Sequence, residues 1–344
     1  MNQKFWKHYF IFIGIMIILM MILLISFWIN LDAYEKSLPV YEAQRMTELF
    51  QKGKYQKIVD YLSIEEGFNT KEALQNIIKE SFNDTNFKYE KKRGLFNKDK
   101  PVYSILHGKD EIAILELKKS NQKGLMNTSK WEVKKLDYHF EKENLTIYAL
   151  PDEVITINGI EVSKDYITQE DYALDKLTNV LKYVNINPLV KYDIKDIYKG
   201  SSIKFTKGDY LKDGSTYTYH YPDNQELLNN HKEFLINWCK NYTKYVVNEE
   251  VFSSISGSVV TNSNAYNFLR NVASTNIWLA RHTPTVFTDF TFENMQMYTD
   301  DLYSVDIKYN YSFYVNNDLK EYQTSLTLYL IKVNSNWLIA DLTT

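Results

Sequence analysis

The sequence predicts a mixed α+β chain: an N-terminal transmembrane helix, then two units in which helices precede a curved antiparallel sheet, separated by a small β-rich unit. Three observations carry this expectation. Tyr9 to Leu31 is apolar and free of charged side chains. Apolar spacing changes from helical to alternating near Asn83, and the same change recurs after Arg281. Between these two regions Asn158-Gly159 joins two alternating runs, the strongest short hairpin signal, because both central positions of a type I′ turn need positive φ.

At about 1.5 Å rise per residue, Tyr9–Leu31 is long enough to cross a hydrocarbon core of about 30 Å. Lys4, Lys7 and His8 precede it, and Asp32, Glu35 and Lys36 follow. The positive-inside rule therefore predicts residues 1–8 in the cytoplasm and the rest outside a single-pass cell-membrane anchor. The run passes through Ser26-Phe27-Trp28-Ile29-Asn30 without an A-x-A-like site, so the helix is expected to stay uncleaved. Gly14 is its only glycine, so no Gly-x-x-x-Gly face supports helix pairing.

Past the span, 41–50 and 55–62 carry apolar residues at helical spacing, with Gly53 between them. Asn69 ahead of Thr70-Lys71-Glu72-Ala73 is an N-cap signal for a third helix to about Phe82. Alternation over 87–92, 102–107, 111–117 and 131–140, broken at Gly94, Gly108 and a polar loop around Gly124, predicts a meander that completes a unit at 32–140. The β-rich unit, 141–223, is expected to have strands at 145–148, 154–157 and 160–162, then a helix over 169–184 built on Tyr172, Leu174, Leu177, Val180, Leu181 and Val184. Strands at 190–198, 203–210 and 216–221 complete it. The last unit, 224–344, predicts an amphipathic helix over 224–247, a Ser/Gly loop at 253–258 and a helix over 264–281. Strands follow at 285–297, 302–315, 321–333 and 337–342.

Helices followed by a four-stranded antiparallel sheet that ends in a short Trp-containing strand, as at Trp131-Glu132-Val133 and Trp337-Leu338-Ile339, resemble the nuclear transport factor 2-like cone fold. The stretch Ile155-Thr156-Ile157-Asn158-Gly159-Ile160-Glu161-Val162 resembles the β-domain hairpin of TcaA-like single-pass membrane proteins of Gram-positive bacteria. That resemblance implies an extracytoplasmic envelope protein with two cone domains. It departs from the pattern at the start, where TcaA-like proteins have a cytoplasmic zinc ribbon and these eight residues hold no cysteine. The layout also resembles TcpC-like components of conjugation and type IV secretion channels.

Composition narrows the chemistry. A formal net charge of −3 and a pI near 6.1 give no global basic field, which disfavours a dedicated nucleic-acid binder. Cys239 stands alone, so no intramolecular disulfide or thiolate zinc cluster is expected. Abundant Asn, Lys, Ile and Tyr suit an AT-rich Gram-positive genome. The six histidines show no i, i+4 pair and no His-Glu-x-x-His, although His107 and His139 fall at strand positions in the first unit and could approach one another across the sheet; no metal and no cofactor are expected. Phosphate-cradling loops and Gly-x-Ser-x-Gly are absent.

Three sets of residues remain as candidates. Lys88, Lys91, Lys92, Arg93, Lys98 and Lys100 form the densest basic cluster, with Lys118, Lys119, Lys123 and Lys130 nearby in the meander; a polyanion would suit it. His231, Trp238, Asp289 and Glu293 are the candidate pocket residues of the last unit, and His231, Asp289, Glu293 and His282 its acid–base candidates. Tyr309, Tyr311 and Phe313 line one strand and suit an aromatic contact surface. The expected function is a non-enzymatic, membrane-anchored binding or scaffold protein that engages protein partners or a wall polymer. The alternatives are a structural subunit of a DNA-transfer channel, where nucleic acid would be a partner, and a pocket enzyme or small-ligand receptor. Homo-oligomerisation stays open.

Overall fold

The structure, a computed structural model, describes residues 3–64, 67–123, 129–272 and 281–344. It is a mixed α+β chain with an N-terminal apolar helix and several antiparallel sheets. It divides into two compact units, Met1–Glu143 with Thr156–Ile160 and Asp196–Lys204, and Asn144–Ile155 with Glu161–Lys195 and Phe205–Thr344.

Helix α1, Gln3–Glu35, contains the apolar span, and its long hydrophobic side chains are exposed along their length. Exposed hydrophobes in an unbroken row are costly in water and favourable in lipid. Lys36, Ser37 and Leu38 link it to α2, Pro39–Gln51, through backbone hydrogen bonds of 3.0–3.1 Å back to Asp32, Tyr34 and Glu35. Helix α2 buries Ala43, Met46, Thr47 and Phe50, the i, i+3, i+4, i+7 face its spacing predicts. A short α3, Tyr55–Val59, leads to α4, Lys71–Glu80. The cap of α4 is Thr70, whose hydroxyl accepts from the Ala73 N–H at 3.1 Å, and not the preceding Asn69.

Strands β1 (Phe87–Lys91), β2 (Val102–His107), β3 (Asp110–Lys123) and β4 (Ser129–Tyr138) form an antiparallel meander in sequence order. The loop expected around Gly124 lies outside the described residues. Tyr103 and Ile105, then Ala113, Leu115 and Leu117, then Leu136, alternate onto the face that packs with α2 and α4.

After β5, Lys142–Ala149, the chain forms the expected hairpin: β6, Ile155–Ile157, and β7, Ile160–Glu161, joined by Asn158 and Gly159 at φ 53° and 81°. The Asn158 amide donates to the Phe68 carbonyl at 2.9 Å and the Ser201 hydroxyl at 3.0 Å, which fixes the turn within the first unit.

The helix expected over 169–184 is replaced by strand β8, Ile167–Tyr172, a 3-10 turn at Asp175–Leu177 and further turns. Leu174, Leu177, Val180 and Tyr183 recur at three residues, the period of a 3-10 ribbon, and Leu177→Leu174, Val180→Leu177 and Tyr183→Val180 backbone bonds of 2.8–2.9 Å follow that period. Strand β9 is Leu189–Tyr198. The strand expected at 203–210 is split into β10, Ile203–Phe205, and β11, Asp209–Asp213. Gly208 causes the break: its φ is +66°, and a Cβ there would sit 2.6 Å from the Tyr219 ring. Strand β12, Thr216–His220, pairs parallel with β5 in a sheet of order β11-β12-β5-β9-β8.

In the second unit α5, Gln225–Val246, is capped by the Asn224 side chain, which accepts from the Leu227 N–H at 2.9 Å. One helical turn, α6, Ser253–Ser256, stands where a loop was expected, and α7 runs Asn264–Val272; the remainder of the helix expected to 281 is outside the described residues apart from Arg281, which is not helical. Strands β13 (Val286–Thr299), β14 (Leu302–Val315), β15 (Asp318–Val333) and β16 (Asn336–Thr343) form a second meander in sequence order. One face carries the α5–α7 core and the other is partly covered by residues 174–184. Lys176 donates to Gln296 at 2.7 Å and Asn179 to buried Asp341 at 2.8 Å, which pins that segment to the sheet.

Candidate functional site

The helix-facing side of the second sheet gathers two of the four pocket candidates. Helix α5 turns Leu228, Leu235, Trp238 and Tyr242 inward, and His231 lies on the same stripe. The His231 Nδ1 is 2.8 Å from the Tyr303 hydroxyl, and its ring lies 5.5 Å from Trp337 between centroids. Burial lowers the proton affinity of this imidazole. Trp238 stacks on Tyr242 at 5.3 Å and 6°, and its indole N–H has no hydrogen-bond partner among the described residues. Cys239 is fully buried, and burial pushes its thiol far above the ordinary range, so it is no nucleophile.

Asp289 and Glu293 lie elsewhere. Both are exposed on β13, the edge strand. The register breaks between Thr288 and Thr291, and Asp289 takes φ 59°, so its carboxylate accepts from the Asn310 amide at 3.0 Å and the Thr288 hydroxyl at 2.8 Å. Glu293 pairs with Lys308 at 2.6 Å. Neither touches His231 or Trp238, so the four do not form one acid–base constellation. His282 is occupied too: Nε2 faces the Val247 carbonyl at 2.8 Å and Nδ1 the Thr283 carbonyl at 2.8 Å.

The aromatic strand is corrected by its burial. Tyr309 and Phe313 are buried and Tyr311 is half-buried, so this row packs inward rather than presenting a contact surface. The Tyr309 hydroxyl meets that of Thr243 on α5 at 2.7 Å. Alternation along β14 placed these rings on one face, and sequence alone did not say which face the helices cover.

In the first unit the basic cluster is partly neutralised. Lys92 pairs with Glu111 at 2.5 Å, Lys118 with Glu132 at 3.1 Å and Lys119 with Asp99 at 3.3 Å. The Lys92 ammonium and the Ser104 hydroxyl hold the Glu111 carboxyl below its ordinary range. Lys91 lies 4.9 Å from the Phe96 ring centroid. Lys88, Arg93, Lys98, Lys100 and Lys130 are exposed, while the Lys123 side chain is outside the described residues. The two strand histidines take separate partners, His107 with Asp84 at 2.7 Å and His139 with the Glu111 carbonyl at 3.2 Å. Among the described residues no group of three His, Cys, Asp or Glu side chains is placed to hold a metal ion.

No family model matches the sequence, and no curated protein matches it. Among solved structures, one described as an Ntf2 like protein involved in plasmid conjugation is similar over 84% of this chain and 85% of its own, at 7% identity and a TM-score of 0.24.

Proposed function

We propose that this chain is a non-enzymatic binding or scaffold protein, held in the cell membrane of a Gram-positive bacterium by α1, with two cone-like helix-and-sheet domains outside. They engage a protein partner or a wall polymer. The observation that carries this reading is α1 itself, exposed along its apolar length and joined to α2 through the hydrogen-bonded three-residue turn Lys36–Leu38. The dispersal of the acid–base candidates, with Asp289 and Glu293 exposed on an edge strand away from His231, supports a binding role over a catalytic one.

The test is in-cell crosslinking of the full-length protein, with membrane fractionation and protease access to its C-terminus in spheroplasts. Expected are a salt-resistant membrane pellet, a protease-accessible C-terminus and recovery of envelope proteins or wall polymer. A soluble or cytoplasmically protected C-terminal unit overturns the reading. Recovery of a coupling ATPase and other channel subunits replaces it with the DNA-transfer alternative.

A further inference from the structure

We propose that the second unit holds a binding cavity for a small, uncharged aliphatic ligand with one hydrogen-bonding head, an alcohol or an amide. The cavity has a volume of about 360 Å³, at the small end for ligand sites. It lies beside the segment that turns as a 3-10 ribbon. That turn buries Leu177 and Val180 but leaves Leu174, Leu181, Val184 and Ile186 half-buried around a concavity. Aliphatic side chains held half in water gain about 25 cal/mol for each Å² that another aliphatic surface covers.

The polar groups define the head. Tyr221 lines the cavity, is 6% exposed, and its hydroxyl has no hydrogen-bond partner among the described residues. Burial pushes its pKa up to about 12, so the hydroxyl stays protonated and can donate. This hydroxyl faces solvent in the open cavity, so a carbonyl or hydroxyl oxygen of a ligand can accept from it in place of water. Asn185 and Asn187 add amides, and with Tyr221 they also line an adjoining cavity of about 270 Å³. Asp171 is the charged side chain in the lining, and it disfavours an anionic head. Such a site extends the scaffold reading and stands apart from it, since the cavity lies outside the helix–sheet core.

The test uses the full-length chain in lipid nanodiscs, with empty nanodiscs as reference, titrated with hexanamide, hexanol and hexanoate and read by saturation-transfer NMR. Hexanamide and hexanol bind, and hexanoate is weaker by about tenfold, the equivalent of 1.4 kcal/mol. Tyr221→Phe weakens hexanamide about tenfold. Asp171→Asn brings hexanoate within about threefold of hexanamide. Leu181→Trp, which fills the cavity, abolishes binding of all three. Failure of hexanamide to bind, hexanoate binding as tightly as hexanamide, or no change in Tyr221→Phe overturns the proposal. Should Leu181→Trp unfold, Tyr221→Phe and Asp171→Asn still decide it. None of these outcomes depends on whether crosslinking finds a membrane partner.

Discussion

The two helix-and-sheet units follow one plan and are closed by different side chains. In the first, Phe50, Phe87, Ile105, Leu115 and Leu136 fill the interior, and the hydroxyl of its large buried ring, Tyr103, has no hydrogen-bond partner among the described residues. In the second, Tyr303 and Tyr309 reach across from the sheet and bond to His231 and Thr243 of α5. Shape chiefly seats α2 on its sheet, with one half-buried hydrogen bond from the Gln51 amide to the Phe87 carbonyl of β1 at 3.0 Å. For α5 the bonds run between side chains inside the core, so sliding that helix by one residue would strand the Tyr303 and Tyr309 hydroxyls as well as misfit apolar groups.

Substitutions can break or sharpen this contrast. The largest effects belong to apolar truncations: Leu115→Ala in the first unit and Ile307→Ala in the second should each cost about 2–5 kcal/mol. Amide hydrogen exchange, read peptide by peptide, should show the loss concentrated in the unit that carries the change; equal loss in both would dissolve the division. Next, Tyr309→Phe should cost about 1–2 kcal/mol, because Thr243 loses its partner in a dry site. Tyr103→Phe should stay within about 0.5 kcal/mol. Equal effects in denaturant titrations would contradict the proposed difference between the cores. Thr70→Ala and Asn224→Ala should each cost about 1 kcal/mol, since each removes a side-chain cap.

The smallest effect is a pH dependence confined to the tyrosine-rich core. Burial depresses the folded pKa of His231 below its ordinary 6.5, so the unfolded chain takes up the proton first. Its contribution is therefore complete above about pH 6.5 and declines as pH falls through and below that value. Thermal melts between pH 5 and 8 should show this slope in the parent chain and a shallower one in His231→Gln. An unchanged slope would remove His231 from the explanation.

Much of this architecture was legible because it rests on local periodicity. The strands at 102–107 and 302–315 begin and end where their alternation does, and Asn158-Gly159 forms its turn because few other pairs accept two positive φ angles. The helix expected over 169–184 failed because three-residue and four-residue spacing overlap in a short apolar run, and tertiary packing chose the tighter ribbon. The candidate site was less legible. Asp289 was a candidate as a carboxylate on an expected strand, but the bulge that turns it is set by backbone geometry that its neighbours do not announce. Tyr309 and Phe313 were grouped correctly on one face, yet only the position of α5 shows that the face is internal. Tyr221 entered only as the end of the strand expected at 216–221, since an unmet hydroxyl is a property of surroundings, not of sequence.

The joint at Lys36–Leu38 governs where encounters take place. A loose linker of n residues would let the first unit roam about 5–6 Å times the square root of n from its attachment. Here the joint is three residues long and each bonds back to the end of α1, so there is almost no leash. In the proposed membrane setting, a partner must come within a thin layer above the lipid headgroups to reach that unit. Residents of the same bilayer, already confined to that layer, would meet it at a far higher local concentration than a molecule diffusing freely beyond it.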